Sequence, residues 1–169
     1  MVVQRLAIAF ILPLAILLPT DRVGAQESND RETRLAEYLS QTEFVGKFTI
    51  DGQESPPKTE TYTISSCEKL PTPDLYRLKA RIKYGDIDQE VPLDLKILWS
   101  GHTPVITLDA MWIPGMGTFD ARVMIRSGRY AGTWQHGDKG GHLFGKIVPI
   151  KGADEPAQPK DSPASGESE

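Results

Sequence analysis

The sequence predicts an all-β protein: a single eight-stranded antiparallel up-and-down barrel with a short N-terminal helix. Three observations predict it. From Phe44 to Ile150 apolar and polar residues alternate with the strand period of two. Two-residue turn signals at Gly85-Asp86 and Ser127-Gly128 close hairpins whose two faces match in one register. No helix-length crossover interrupts the run, so neighbouring strands must pair antiparallel. A meander with one apolar face covers that face and its edges by curling until the last strand meets the first. The alternative is a two-sheet β-sandwich, which more often needs the long Greek-key connection that nothing here demands.

The elements follow in chain order. Residues 1–25 read as a signal peptide: Arg5 gives a positive start, Leu6 to Leu18 an apolar core, and Val23-Gly24-Ala25 a cleavage site. The run is short for a membrane span, and an uncleaved anchor is the other reading. No cysteine stands directly after it, so a lipid anchor is not expected. This places the chain outside the cell or in a periplasm, and any membrane contact in the uncleaved signal sequence. Residues 26–42 hold a short helix over Asn29 to Gln41, with a capping box at Asn29 and Glu32 and an apolar stripe of Leu35, Tyr38 and Leu39.

Residues 43–150 form the barrel. The hairpin at Gly85-Asp86 sets Leu78 against Leu93, Tyr76 against Leu95 and Ala80 against Val91. On its other face Lys83 meets Asp88, Arg81 meets Glu90 and Arg77 meets Asp94, so the basic stripe is a pairing device and not a nucleic-acid patch. The hairpin at Ser127-Gly128 sets Ile125 against Tyr130, Val123 against Gly132 and Ala121 against Trp134. A third, over Ser100 to Thr103, sets Ile97 against Ile106 and Leu95 against Leu108. Residues 151–169 carry two lysines, five acids and almost nothing apolar, which predicts a disordered acidic Pro/Ser tail. That tail holds minus three of the formal net charge of minus four, so the folded part is near neutral. Cys67 is the single cysteine, which rules out an internal disulfide and leaves a half-buried thiol as the expectation.

The stretch RYAGTWQHGDKGGHLFGKI holds the candidate site. Tyr130, Gly132, Trp134 and His136 point inward. A four-residue loop over Gly137 to Gly140 then turns Leu143, Gly145 and Ile147 inward, opposite Trp134, Gly132 and Tyr130. A five-residue loop would pair His136 with His142 but drive Lys146 into the core, at several kcal/mol. The two histidines therefore fall on opposite faces, and no metal site is expected. The glycine-rich loop opens no helix, so it is no phosphate cradle.

Gly132-Thr133-Trp134, the GKF at Gly46 to Phe48 and the eight-strand count resemble the calycin architecture of lipocalin-like and avidin-like barrels. That resemblance implies an up-and-down barrel with a tryptophan at the closed end or in a ligand cavity. It does not extend to the first strand, which lacks the lipocalin G-x-W, nor to the usual disulfides.

An eight-stranded barrel stands at the boundary between a filled interior and room for one small ligand. The inward list runs from Phe44 to Ile147 and is broken by small residues at Gly46, Ala80, Ala110, Ala121, Gly132 and Gly145. Candidate ligand contacts are Trp134, Tyr130, His136, Tyr76, Tyr62 and Trp99. The segment Met111 to Phe119 reads as a glycine-broken loop whose Trp112, Ile113 and Met116 are partly exposed as a lid or partner contact. No nucleophile with a base, no carboxylate pair and no cofactor motif appears, so neither catalytic residues nor a cofactor are expected. The expected function is an exported, non-catalytic barrel that binds a small apolar molecule. The alternative is a structural or protein-interaction module of the cell envelope.

Overall fold

The computed structural model describes residues 21–150. The first twenty residues of the expected signal peptide and the acidic tail lie outside the described residues. Within them stand α1 (Asp21–Leu39), β1 (Thr42–Phe48), β2 (Lys58–Lys69), β3 (Leu75–Tyr84), β4 (Ile87–Ser100), β5 (Thr103–Ile113), β6 (Gly117–Arg126), β7 (Arg129–His136) and β8 (Lys139–Pro149). Every strand pairs antiparallel with the next in sequence, and β8 pairs back onto β1, which closes the barrel.

The two turn-defined registers hold as read. Leu78 pairs with Leu93, Tyr76 with Leu95 and Ala80 with Val91. Ile125 pairs with Tyr130, Val123 with Gly132 and Ala121 with Trp134. Gly85 has φ +54° while Asp86 does not, as a turn with glycine first requires, and Ser127 and Gly128 both have positive φ. The third hairpin pairs Ile97 with Ile106, but its ladder stops at Lys96–Thr107 before reaching Leu95 and Leu108. On the outer wall of β3–β4 the ion pairs are Arg77–Asp94 along the register and Arg81–Asp88 and Lys79–Glu90 on the diagonals. Long side chains reach diagonal neighbours as easily as direct ones.

Four expectations are corrected. The helix is already formed at Asp21 and ends at Leu39, so Asn29 is no cap: its carbonyl accepts the Thr33 hydroxyl inside the helix (2.9 Å). Residues 21–28 hold no proline, so nothing stops the helix propagating upstream of the cap-like pair. The apolar stripe is Leu35, Ala36 and Leu39, while Tyr38 is exposed, because it lies on the far side of Leu35 from Ala36. The loop between β7 and β8 is the two-residue turn Gly137-Asp138, not a four-residue one. Leu143 therefore faces Gly132 and Gly145 faces Tyr130. The shift is two residues, so every side chain keeps its face: His142 stays outside and Leu143 is buried. Finally, Ala110 is exposed with φ +44° at a bulge in β5, where its N–H donates to Asp120 Oδ1 (2.8 Å). The extra residue flips the strand's parity beyond it. Ile113 is consequently buried, and the expected loop shrinks to Pro114, Gly115 and Met116 between two strands.

The core divides along the barrel axis. At one end α1 lays Leu35, Ala36 and Leu39 against Tyr76, Ile97 and Cys67 in the main apolar cluster. The Ser40 hydroxyl accepts the Cys67 N–H at 2.9 Å and ties the helix end to β2. At the opposite end Ile82, Val91 and Ile113 form a second cluster with Met116, Phe119 and Tyr84 packed against it.

Candidate functional site

An apolar cavity of about 150 Å³ lies inside the barrel. Phe44, Ile64, Leu78, Ala80 and Val123 line its middle. Tyr84, Ile113, Met116, Phe119 and Trp134 line it toward the strand ends remote from α1. The alternation of each strand places them there, since every second residue must face the concave side.

Of the six sequence-predicted contacts, the structure brings three together on this cavity: Tyr62, Tyr130 and Trp134. Trp134 donates its indole N–H to the Thr49 carbonyl (3.1 Å) and meets Phe48 edge-on at 5.8 Å. Its neighbour across the strands is Gly141, where a Cβ would stand 2.0 Å from the Thr49 oxygen and 3.1 Å from the Trp134 nitrogen. Gly141 is thus the glycine that makes room for the indole, while Gly145 serves Tyr130. His136 is half-buried at the rim, stacked on Phe119 at 4.4 Å, with Nδ1–H donated to the Thr118 carbonyl (2.8 Å). Tyr76 and Trp99 lie at the helix end and do not line the cavity. Tyr76 is fully buried, and the Arg31 guanidinium sits 4.1 Å over the Trp99 ring. Of the lid candidates, Ile113 and Met116 face inward onto the cavity, whereas Trp112 is 66% exposed.

The sequence reading missed Glu60. This carboxylate is 3% exposed, on the inner face of β2. It accepts the Tyr62 hydroxyl on Oε2 (2.8 Å) and the Tyr130 hydroxyl on Oε1 (2.9 Å). Burial pushes its carboxyl up, and the two hydroxyls pull it partly back down. Burial raises both phenols as well, with the Glu60 charge adding to the effect, so they remain donors. The signal was present in KTETYTI: Glu60 shares strand parity with the inward Tyr62 and Ile64.

Two glycines make the Tyr130–Glu60 bond sterically feasible. Across the barrel seam Tyr130 pairs with Gly145, Gly145 with Gly46, and Gly46 with Glu60. A Cβ at Gly46 would lie 2.4 Å from the Tyr130 hydroxyl, and one at Gly145 would lie 2.6 Å from its ring. The phenol therefore lies flat across two strands with no side chain beneath it. Phe44 packs against it at 5.1 Å.

The site is a small apolar chamber with one hydrogen-bonded acid behind two of its wall residues. No protein-family model, curated protein or solved structure matches the chain.

Proposed function

We propose that the chain is an exported, non-catalytic barrel that holds one small, mostly apolar molecule in its interior, in the manner of calycin-like barrels. The apolar cavity carries this reading. Cavities of about 150 Å³ with hydrocarbon walls accept benzene-sized guests, whereas drug-sized ligands need roughly 300 Å³ or more. The guest is accordingly a single ring or a short hydrocarbon. Export is supported by the positive start and apolar run at the N-terminus.

The test is a titration with benzene, indole and short alkanes, read by tryptophan fluorescence and repeated with W134F. Saturable quenching or shift that disappears in W134F is expected. Ala121→Leu fills the same space, since Ala121 lines the cavity, and should abolish the response while the fold is retained. No response from the parent protein to any guest, with intact circular dichroism, would end the proposal.

Trp112 favours the second reading, an interaction module of the envelope, because a 66% exposed indole on a strand serves no packing purpose. Replacing it by serine should then release the protein from the envelope fraction without changing the guest titration.

A further inference from the structure

The outer wall carries an organised surface that the interior site does not use. Leu98 pairs with Val105, Val105 with Met124, Met124 with Ala131, and Ala131 with Phe144. All five belong to the outward parity of their strands, so they form one continuous apolar row across β4 to β8. At about 4.8 Å per strand the row spans about 19 Å. Leu98 is 41% exposed, Met124 53% and Phe144 44%. Scattered surface apolar residues need no explanation, but five in register across neighbouring strands do.

The next row toward the helix end is cationic. Arg126 pairs with Arg129, Arg129 with Lys146, and Lys146 with the exposed Val45. Like charges directly opposite each other destabilise a sheet, so their retention here calls for a reason. All three are exposed and make no ion pair among the described residues. The outward acids on β1 and β6–β8 make no ion pair with them. Asp120 lies further along β6 and accepts the Ala110 N–H, while Glu43, diagonal to Lys146 across the seam, accepts the Thr63 hydroxyl instead. On the other side of the apolar row Arg122 is held by Asp109.

We infer that the β6–β8 wall is a docking surface for an anionic lipid membrane, with Met124 and Phe144 entering the interface and Arg126, Arg129 and Lys146 facing the headgroups. An apolar row bordered by unpaired cations is the pattern of a surface that lies on a bilayer. The barrel does not span it: the wall of β3–β4 carries exposed ion pairs, where a spanning barrel needs an apolar band all round. A second copy fits less well, since a two-fold contact would gather six cations with no acid among them. This route is separate from the N-terminal apolar run and does not depend on the interior guest.

The experiment is site-specific, because the N-terminal run could bind vesicles by itself. Met124→Cys in the full chain is labelled with a solvatochromic dye. Cys67 does not compete: it is buried, and burial pushes its thiol up to about 12. Glu68→Cys, on the exposed wall of β2, is the control. With phosphatidylglycerol-containing vesicles the M124C dye should shift to the blue and the E68C dye should not. Pure phosphatidylcholine vesicles should give no shift. R126Q/R129Q should weaken the response roughly 25-fold, at about fivefold per cation. Pelleting with vesicles while the M124C dye stays unshifted would overturn the inference in favour of the N-terminal run. An equal shift on neutral vesicles would remove the headgroup role and overturn it too. A shift that grows with protein concentration without vesicles would assign the wall to a second copy.

Discussion

Tyr130→Phe isolates one buried hydrogen bond and leaves the packing alone. The ring keeps its contact with Phe44 and its seat over Gly46 and Gly145; only the hydroxyl that reaches Glu60 Oε1 at 2.9 Å is lost. A hydrogen bond to a charged group contributes about 1.5–3 kcal/mol and one to a neutral group about 1 kcal/mol. The cost must therefore depend on the ionisation of Glu60. That carboxyl is raised from its ordinary value near 4.5, first by burial, and Tyr130 is one of the two groups that lower it again. A raised acid contributes stability that is present below its unfolded value and is lost as pH rises through its folded value. Removing Tyr130's hydroxyl raises the folded value further and enlarges that loss. Y130F is expected to cost about 1 kcal/mol at pH 4 and about 1.5–3 kcal/mol at pH 8. With a urea slope of about 1–3 kcal/mol per molar, the pH 8 midpoint should fall by roughly 1 M. Urea unfolding of parent and variant at pH 4, 6 and 8 measures it. A cost that does not change with pH, or one below about 0.5 kcal/mol throughout, would refute the reasoning.

The remaining predictions use the same fold. Glu60→Gln removes the titration, so the parent's loss of stability as pH rises above about 4.5 should flatten in the variant; equal slopes would count against a buried, raised carboxyl. Gly132→Ala places a Cβ 1.9 Å from the Arg122 carbonyl, which is backbone and cannot swing away. It should cost at least the 1–3 kcal/mol typical of overpacking. Gly85→Ala, with nothing within 4 Å of its Cβ and a φ of +54°, should cost only about 1–2 kcal/mol of backbone strain. Thermal melts that rank the two in the opposite order would show that the wall has more give than the register implies.

The barrel was legible in the sequence because strand parity is a local property. Leu78, Ala80 and Ile82 alternate with charges, and a two-residue turn propagates that parity into Val91, Leu93 and Leu95 without further information. Parity is equally why the wrong loop at Gly137 still put His142 outside and Leu143 inside. What the sequence hid was whatever depends on a distant partner. The bulge at Ala110 is held by Asp120, ten residues on, and no glycine marks the positive φ. The site was half legible for the same reason. Trp134, Tyr130 and Tyr62 were found from alternation, but Tyr76 and Trp99 share that alternation and sit at the end that α1 fills. Glu60 was passed over because a charge at an inward position reads as an error until the two hydroxyls that satisfy it are seen.

Why a barrel that could be wholly apolar keeps that acid is best answered at its seam. Closing the barrel requires β8 to find β1, a contact between segments about a hundred residues apart, and an apolar seam can slip by two residues without moving any side chain to the wrong face. Gly145 opposite Gly46 and the Tyr130–Glu60 bond that crosses both are satisfied in one register only; a slip of two sets Leu143 or Ile147 opposite Gly46 and separates the phenol from its acceptor. On this argument the network fixes register more than it adds stability. Replacing every member by an apolar analogue, as E60L/Y62F/Y130F, leaves no unsatisfied group, and such exchanges are often neutral or stabilising by about 1–4 kcal/mol. The triple variant should melt no lower than the parent. Yet paired cysteines on the outer wall should report its slippage: K47C/F144C, directly opposite in the native register, cross-links in both proteins, while K47C/K146C, two residues off, cross-links only in the triple variant. A triple variant that melts well below the parent, or that never forms the off-register bridge, would show that the acid is there for stability and not for register.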